Sequence, residues 1–201
     1  NLFLERYDQG LIKQKLVKNT ADNKRGEELD GKTPTNMLLF GTPVKLLDGG
    51  ITEDAFYSFL STGYARRMLF ALGNPNKGVS NAGLTPAQVY QSLTNPQNNT
   101  LIQKWNSIFA DLADVALCDF QITVEDDVAI DLISYKMLCE SKADKLSDSH
   151  DIQKAELNHR YFKALKLAGA FAFIEQNPLH TSDHLSQAIR LVEESGSSFE
   201  K

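Results

Sequence analysis

Residues 35–45 read TNMLLFGTPVK, and residues 63–72 read GYARRMLFAL. Each stretch contains a short apolar run, MLLF in the first and MLFAL in the second, next to glycine or proline. A short apolar run that is bounded by turn-forming residues is typical of a buried strand. We therefore predict strands at 37–42 and 67–72, with a further strand at 11–18 (LIKQKLVK) whose side chains alternate between two faces.

Capping signals and helical spacing predict the other elements. Thr52, Thr85 and Thr181 are predicted helix caps, and Gly63 and Gly196 are predicted helix ends. Two apolar stripes at helical spacing mark long helices near the C-terminus, formed by Val128, Leu132, Tyr135 and Cys139 and by Leu185, Ala188, Ile189 and Val192. The predicted fold class is α+β and helix-rich, with an all-helical part after about residue 125.

Composition defines the class of protein without indicating any chemistry. The 201 residues carry a net charge of −5, with 42% hydrophobic and 23% charged residues, which is ordinary for a globular protein. No apolar run approaches the roughly 18 residues of a membrane span. The two cysteines, Cys118 and Cys139, lie in apolar stretches, which favours reduced thiols in a cytoplasmic protein. The first residues do not resemble a secretory signal peptide. Because the chain opens on Asn1 and not on an initiator Met, we expect it to be a piece of a longer protein.

Residues 26–33 (GEELDGKT) match the phosphate-loop pattern G-x-x-x-x-G-K-[ST] letter for letter. Three carboxylates would line the loop and repel a polyphosphate. No buried strand precedes the pattern, and Pro34 follows it where a helix should begin. We therefore predict an exposed, non-helical hairpin tip that binds no nucleotide.

His180 and His184 are four residues apart, a spacing that metal ligands on one helix face use. Asp183 is the only carboxylate close to them in sequence, and neither a cysteine nor another histidine pair accompanies them. We interpret the pair as surface histidines and predict no metal site.

Two groups of basic residues could contact phosphate. In the first group only one acid, Asp22, lies among five basic residues: Lys13, Lys15, Lys18, Lys24 and Arg25. This segment is either a contact for a nucleic-acid backbone or a solvated charged face. The second group, Arg66 and Arg67, lies where a predicted helix ends and a predicted strand begins. At such a position arginine either lies at a phosphate or at a subunit boundary, or forms an ordinary salt bridge.

Three stretches together resemble the ATPase core of phage and plasmid primase-helicases, a branch of the AAA+ ATPases related in layout to the minichromosome maintenance helicases. Residues 35–45 resemble the strand that ends in the polar sensor-1 residue, which would be Thr42. Residues 63–72 resemble the segment that carries the arginine finger, which would be Arg66 or Arg67. Residues 160–194 resemble the helical lid, in which Arg160, or less closely Lys166, would be sensor 2.

The resemblance implies a division into residues 1–75, the C-terminal half of the ATPase core, and residues 76–201, the helical lid. Residues 11–35 then occupy the position of a hairpin that projects into a channel and contacts single-stranded DNA. The complete protein would bind ATP and Mg²⁺, and it would self-associate into a ring in the cytoplasm, that of the host if it is phage-encoded. Since the chain contains no credible Walker A or Walker B motif, we do not expect it to hydrolyse ATP by itself.

The alternative interpretation is a non-enzymatic helical module for protein interaction. In that case the arginines are structural and the acidic surface binds a protein partner.

Overall fold

The computed structural model describes residues 4, 7, 8, 36–73, 83–117 and 119–200. It confirms a helix-rich α+β fold. Seven α-helices and two strands have defined bounds in these segments: α1 (Pro43–Leu46), α2 (Ile51–Phe59), α3 (Pro86–Leu93), α4 (Pro96–Leu112), β1 (Thr123–Val124), α5 (Asp126–Asp144), α6 (Asp151–Ile174), β2 (Leu179–His180) and α7 (Ser182–Phe199).

The two short strands are parallel neighbours. Thr123 lies opposite Leu179, and Val124 lies opposite His180. Each strand leads directly into a helix, β1 into α5 and β2 into α7. The pairing therefore places the start of α5 beside the start of α7. Among the described residues after 125, the strand β2 is the one exception to the predicted all-helical part.

The strands predicted at 37–42 and 67–72, on which the resemblance to the AAA+ core places Thr42 and the arginine finger, do not form. Residues 36–42 are irregular and exposed, with Phe40 at 90% and Leu38 at 78% of full exposure, and residues 68–73 are irregular as well. An apolar run becomes a strand only where a neighbouring strand accepts its backbone hydrogen bonds. The described part of the chain supplies no such neighbour, because its only strand pair is β1–β2. The strand predicted at 11–18 lies outside the described residues.

The chain divides into two compact units. The first consists of Asn1–Met68 with Lys142–His159, and the second of Leu69–Ser141 with Arg160–Lys201. The second unit contains the main apolar core, in which α5, α6 and α7 meet. Both predicted apolar stripes contribute to that core, and α6 adds alanines with no exposed surface, Ala164 and Ala168. Such small residues allow helices to approach each other closely.

Two of the three predicted caps are confirmed. The Thr85 and Thr181 side chains accept hydrogen bonds from the backbone N–H groups of Gln88 and His184, and both form complete capping boxes. The prediction for Thr52 is wrong, since Gly50 caps α2 and the helix begins at Ile51.

Gly196 does not end α7, which continues to Phe199. Its function is to leave room for the buried guanidinium group of Arg160, which is only 3% exposed. A Cβ atom at position 196 would lie 2.2 Å from Arg160 Cζ. The guanidinium pairs with Glu200 at 3.2 Å and with Glu193 at 3.5 Å, and Glu193 also accepts a hydrogen bond of 2.7 Å from the Tyr135 hydroxyl. The missing side chain therefore permits a polar network that joins α5, α6 and α7.

Replacing Gly196 with Ala should destabilise the protein, although Gly→Ala in a helix interior normally stabilises by about 0.5–1 kcal/mol. The new methyl group would displace the Arg160 guanidinium and break charged hydrogen bonds, so we expect a net loss of about 1–3 kcal/mol. Gly169→Ala in α6 is the matched control, because nothing lies within 4 Å of its added Cβ. Chemical denaturation should show opposite signs for the two variants, and equal stabilisation by both would contradict this account of Gly196.

The prediction that His180 and His184 are surface residues is wrong. They are 1% and 3% exposed, with ring centroids 6.2 Å apart. His184 Nε2 lies 3.0 Å from a Glu175 carboxylate oxygen, and its Nδ1 accepts a hydrogen bond from the Thr181 backbone N–H. Both ring nitrogens of His180 are buried without a partner among the described residues. Burial lowers the pKa of His180, and the nearby His184 lowers it further.

This burial makes stability depend on pH. Because the pKa of folded His180 lies below its ordinary value of about 6.5, the unfolded chain binds more protons between the two values. Stability should therefore fall as the pH drops through about 6.5, by at most about 1.4 kcal/mol per pH unit for this group. His180→Leu should reduce the slope of unfolding free energy against pH, measured from pH 7.5 to 5, whereas His150→Leu at an exposed position should not. An unchanged slope in His180→Leu would assign the effect to other groups.

Candidate functional site

The candidate site is the turn that carries Arg66 and Arg67, which we call the arginine turn (residues 63–67). Helix α2 continues into a π-helical segment, Leu60–Tyr64, in which Gly63 has φ +103°. Residues other than glycine rarely adopt this backbone conformation. The rings of Phe59 and Tyr64 stack with centroids 4.0 Å apart, and Tyr64 and Ala65 are buried. Gly63 and the two buried residues, Tyr64 and Ala65, together fix the direction in which the two arginines leave the helix.

The two guanidinium groups converge beside Gly63. A Cβ atom on this glycine would lie 3.1 Å from Arg66 Nε and 3.1 Å from Arg67 Nη1. Arg66 Nε and Arg67 Nη1 therefore lie no more than twice 3.1 Å from each other. Two like charges at this separation repel each other unless acceptors surround them. The turn thus concentrates positive charge in a protein whose net charge is negative.

Arg67 has acceptors on both sides. Its Nε donates to an Asp8 carboxylate oxygen at 2.9 Å, and its Nη2 donates to the other oxygen of the same carboxylate. Its Nη1 donates to the Gly63 carbonyl at 3.0 Å. The Tyr7 ring lies under the guanidinium, with its centroid 5.9 Å from Arg67 Cζ. The hydrogen bond to Asp8 raises the pKa of Arg67 further, so this side chain is a charged structural brace.

Arg66 lacks this compensation. Its Nε is buried and has no hydrogen-bond partner among the described residues. An unsatisfied buried donor costs roughly 1–3 kcal/mol, and more when the group is charged. The side chain as a whole is only half-buried, so a ligand can approach it from solvent. Of the two candidate arginines, Arg66 is therefore the one with unused capacity to bind an anion.

A histidine that the sequence did not single out completes the surroundings of the turn. His159, near the middle of α6, is half-buried, and its Nδ1 is buried without a hydrogen-bond partner in the described part of the chain. Burial lowers the pKa of His159, and the charges of Arg66 and Arg67 lower it further. The Ala155 backbone carbonyl and Asp8 act weakly in the opposite direction. Burial and the charges of the two arginines therefore disfavour the imidazolium form of His159.

The other residues that the resemblance implicated lie elsewhere. Thr42 is exposed and directly precedes α1, where its carbonyl accepts hydrogen bonds from the Lys45 and Leu46 backbone N–H groups. Arg160 and Lys166 both belong to α6 but differ in environment. Arg160 is buried in its carboxylate network, whereas Lys166 is exposed, with its ammonium 4.9 Å from the centroid of the Phe162 ring. In the second unit, Lys166 is therefore the more accessible of these two cations.

Several predicted features lie outside the described residues. They are the phosphate-loop pattern at 26–33 and the five basic residues Lys13, Lys15, Lys18, Lys24 and Arg25. Within the described segments, no group of three or more His, Cys, Asp or Glu side chains could hold a metal ion. None of the helices in those segments has both the length and the apolar character that a membrane crossing requires.

Comparisons with models of protein families, with curated proteins and with solved structures find no match to this chain. The site is therefore interpreted from its own chemistry. Arg67 is braced, the buried Nε of Arg66 has no partner among the described residues, and both arginines lower the pKa of His159. Such a group is suited to bind an oxyanion such as a phosphate group. The sequence identified the arginine pair. It provided no sign of Asp8 or His159, which are separated from the turn by more than 50 residues.

Proposed function

We propose that this chain is part of an ATP-driven replicative helicase of the primase-helicase type, and that Arg66 is its arginine finger. The observation that carries the proposal is the buried Nε of Arg66, unpartnered among the described residues, beside the braced Arg67. An arginine finger must keep its charge un-neutralised until a neighbouring subunit presents a phosphate. The division of roles between the two arginines meets that requirement.

In the proposed mechanism, Arg66 stabilises negative charge that develops on the transferred phosphoryl group. ATP supplies that group when it is bound at a subunit boundary. Arg67 holds the turn through Asp8, and Gly63 allows both side chains to lie on one side of the backbone. Guanidinium groups suit this role because their planar fork pairs with two phosphate oxygens at once.

The remaining roles belong to the same proposal. Thr42 would orient the attacking water. Lys166 is a better candidate than Arg160 for contact with nucleotide, since Arg160 would first have to leave Glu193 and Glu200. The described residues contain no carboxylate cluster for Mg²⁺, so its ligands would be the phosphates and residues in the rest of the complete protein. Residues 11–35 would contact single-stranded DNA.

A helical module for protein interaction is the second candidate, and one observation favours it. Helix α5 is apolar on two sides. Val128 and Tyr135 face the core, whereas Ile130, Ile133 and Met137 are 62%, 56% and 63% exposed. An exposed apolar stripe at helical spacing commonly marks a protein contact. This candidate requires both arginines of the turn to be structural.

In the complete protein, Arg66→Ala should lower ATP turnover by about 10³–10⁵-fold while nucleotide affinity and thermal stability stay near wild type, because a finger acts in the transition state. Arg67→Ala should instead lower the melting temperature, since it removes the brace to Asp8. Arg190→Ala, at an exposed position on α7, is the control. Steady-state ATPase rates and thermal melts of the three variants decide the matter. Normal turnover in Arg66→Ala would favour the interaction module.

A second experiment tests the proposed binding of DNA. Replacing Lys13 and Lys15 with Ala should weaken binding of single-stranded DNA, because each lysine that pairs with a phosphate releases counterions. The slope of log affinity against log salt should shrink by about 0.7 for each phosphate that is no longer neutralised. Fluorescence titrations at several salt concentrations provide the slope, and ATP turnover without DNA should be unchanged. Superimposable titrations for wild type and double variant would mean that these lysines are simply solvated.

A further inference from the structure

We infer that Arg66 and His159 together form an oxyanion site, and that His159 takes up a proton when the anion binds. The oxyanion class includes phosphate and sulfate groups. The assignment of the natural anion as a nucleotide phosphate rests on the proposed function, whereas the site itself rests on the geometry of the first unit.

Two buried polar atoms without a hydrogen-bond partner among the described residues support this site. Arg66 Nε and His159 Nδ1 are both buried without a partner among the described residues, and both side chains are partly open to solvent. Both side chains belong to the same compact unit, and the charge of Arg66 lowers the pKa of the His159 imidazole. Buried polar atoms are nearly always satisfied by protein, water or ligand. A small anion that approaches from solvent would supply the acceptor that Arg66 lacks.

The charges near the site favour an anion. The titratable groups that act on His159 are Arg66, Arg67 and Asp8. On its own helix, Glu156 precedes His159 by three residues and is fully buried. Asp8 neutralises one guanidinium, and its carboxylate is already bound by Arg67 on both oxygens. Among the charged groups that act on His159, two guanidinium groups therefore accompany one carboxylate.

Binding of an anion changes the balance for His159. In the protein without anion, burial and the two arginines disfavour the imidazolium. A bound dianion would neutralise Arg66 and attract a second positive charge, so that His159 would protonate and bind the anion as well. Binding and protonation are then linked, and each must strengthen the other. Affinity should fall by up to about tenfold for each pH unit between the pKa that His159 has without the anion and the higher pKa that it has in the complex, and it should level off above that.

The test uses inorganic sulfate, whose charge is constant between pH 5 and 8. NMR titration of the imidazole signals of this chain should show that sulfate raises the pKa of His159, relative to sodium chloride at equal ionic strength. The Kd for sulfate, measured in the same spectra, should increase with pH. His159→Gln should abolish that pH dependence, and Arg66→Ala should remove the response of His159 to sulfate. His150→Gln should behave as wild type.

The outcomes separate this site from the proposed function. An identical pKa of His159 in sulfate and in chloride would overturn the inference, even if Arg66→Ala abolishes ATP turnover in the complete protein. A sulfate response that depends on Arg66 and His159 would support the site, even if the complete protein hydrolyses no ATP. Because the other resonances in each spectrum report whether a variant is folded, misfolding cannot imitate either result.

Discussion

A partly buried polar network joins the three core helices of the second unit through Glu193, which accepts a hydrogen bond from the Tyr135 hydroxyl and pairs with the Arg160 guanidinium. These groups come from α5, α6 and α7, the three helices whose apolar faces form the core. A buried guanidinium is tolerated only when its donors are satisfied, so the network also fixes how the helices are aligned. Gly196 is part of the same constraint, since any side chain there would occupy the space of the guanidinium.

Three arginines illustrate how environment decides the role of one residue type. Arg160 is buried between two carboxylates, and Arg67 is held by the two oxygens of Asp8. Both have enough acceptors to be structural. Arg66 lies beside Arg67 on the same turn, yet its Nε has no acceptor among the described residues. Charge alone does not distinguish these residues. The number and position of acceptors do.

The sequence predicted what local physics determines. The capping boxes at Thr85 and Thr181 depend on residues only three positions apart, and the stripe that includes Val128 and Tyr135 depends on helical period. The strands at 37–42 and 67–72 were predicted wrongly because a strand needs a partner that the local sequence does not reveal. Three further features also depend on contacts that the local sequence does not reveal. They are the burial of His180, the brace between Asp8 and Arg67, and the position of His159.

The two proposed functions place different demands on the molecule. The exposed apolar stripe of α5 suits either of them, because a ring-forming ATPase also needs contacts between its subunits. The arginine turn is more selective. An interaction module gains nothing from a guanidinium whose Nε lacks a partner among the described residues and that is held in place by glycine, a stacked aromatic pair and a second arginine. An enzyme that must stabilise charge on a phosphate delivered by a neighbour requires such a group, fixed in advance and not yet neutralised. For this reason Arg66, whose Nε has no partner in the described part of the chain, favours the helicase proposal over the interaction module.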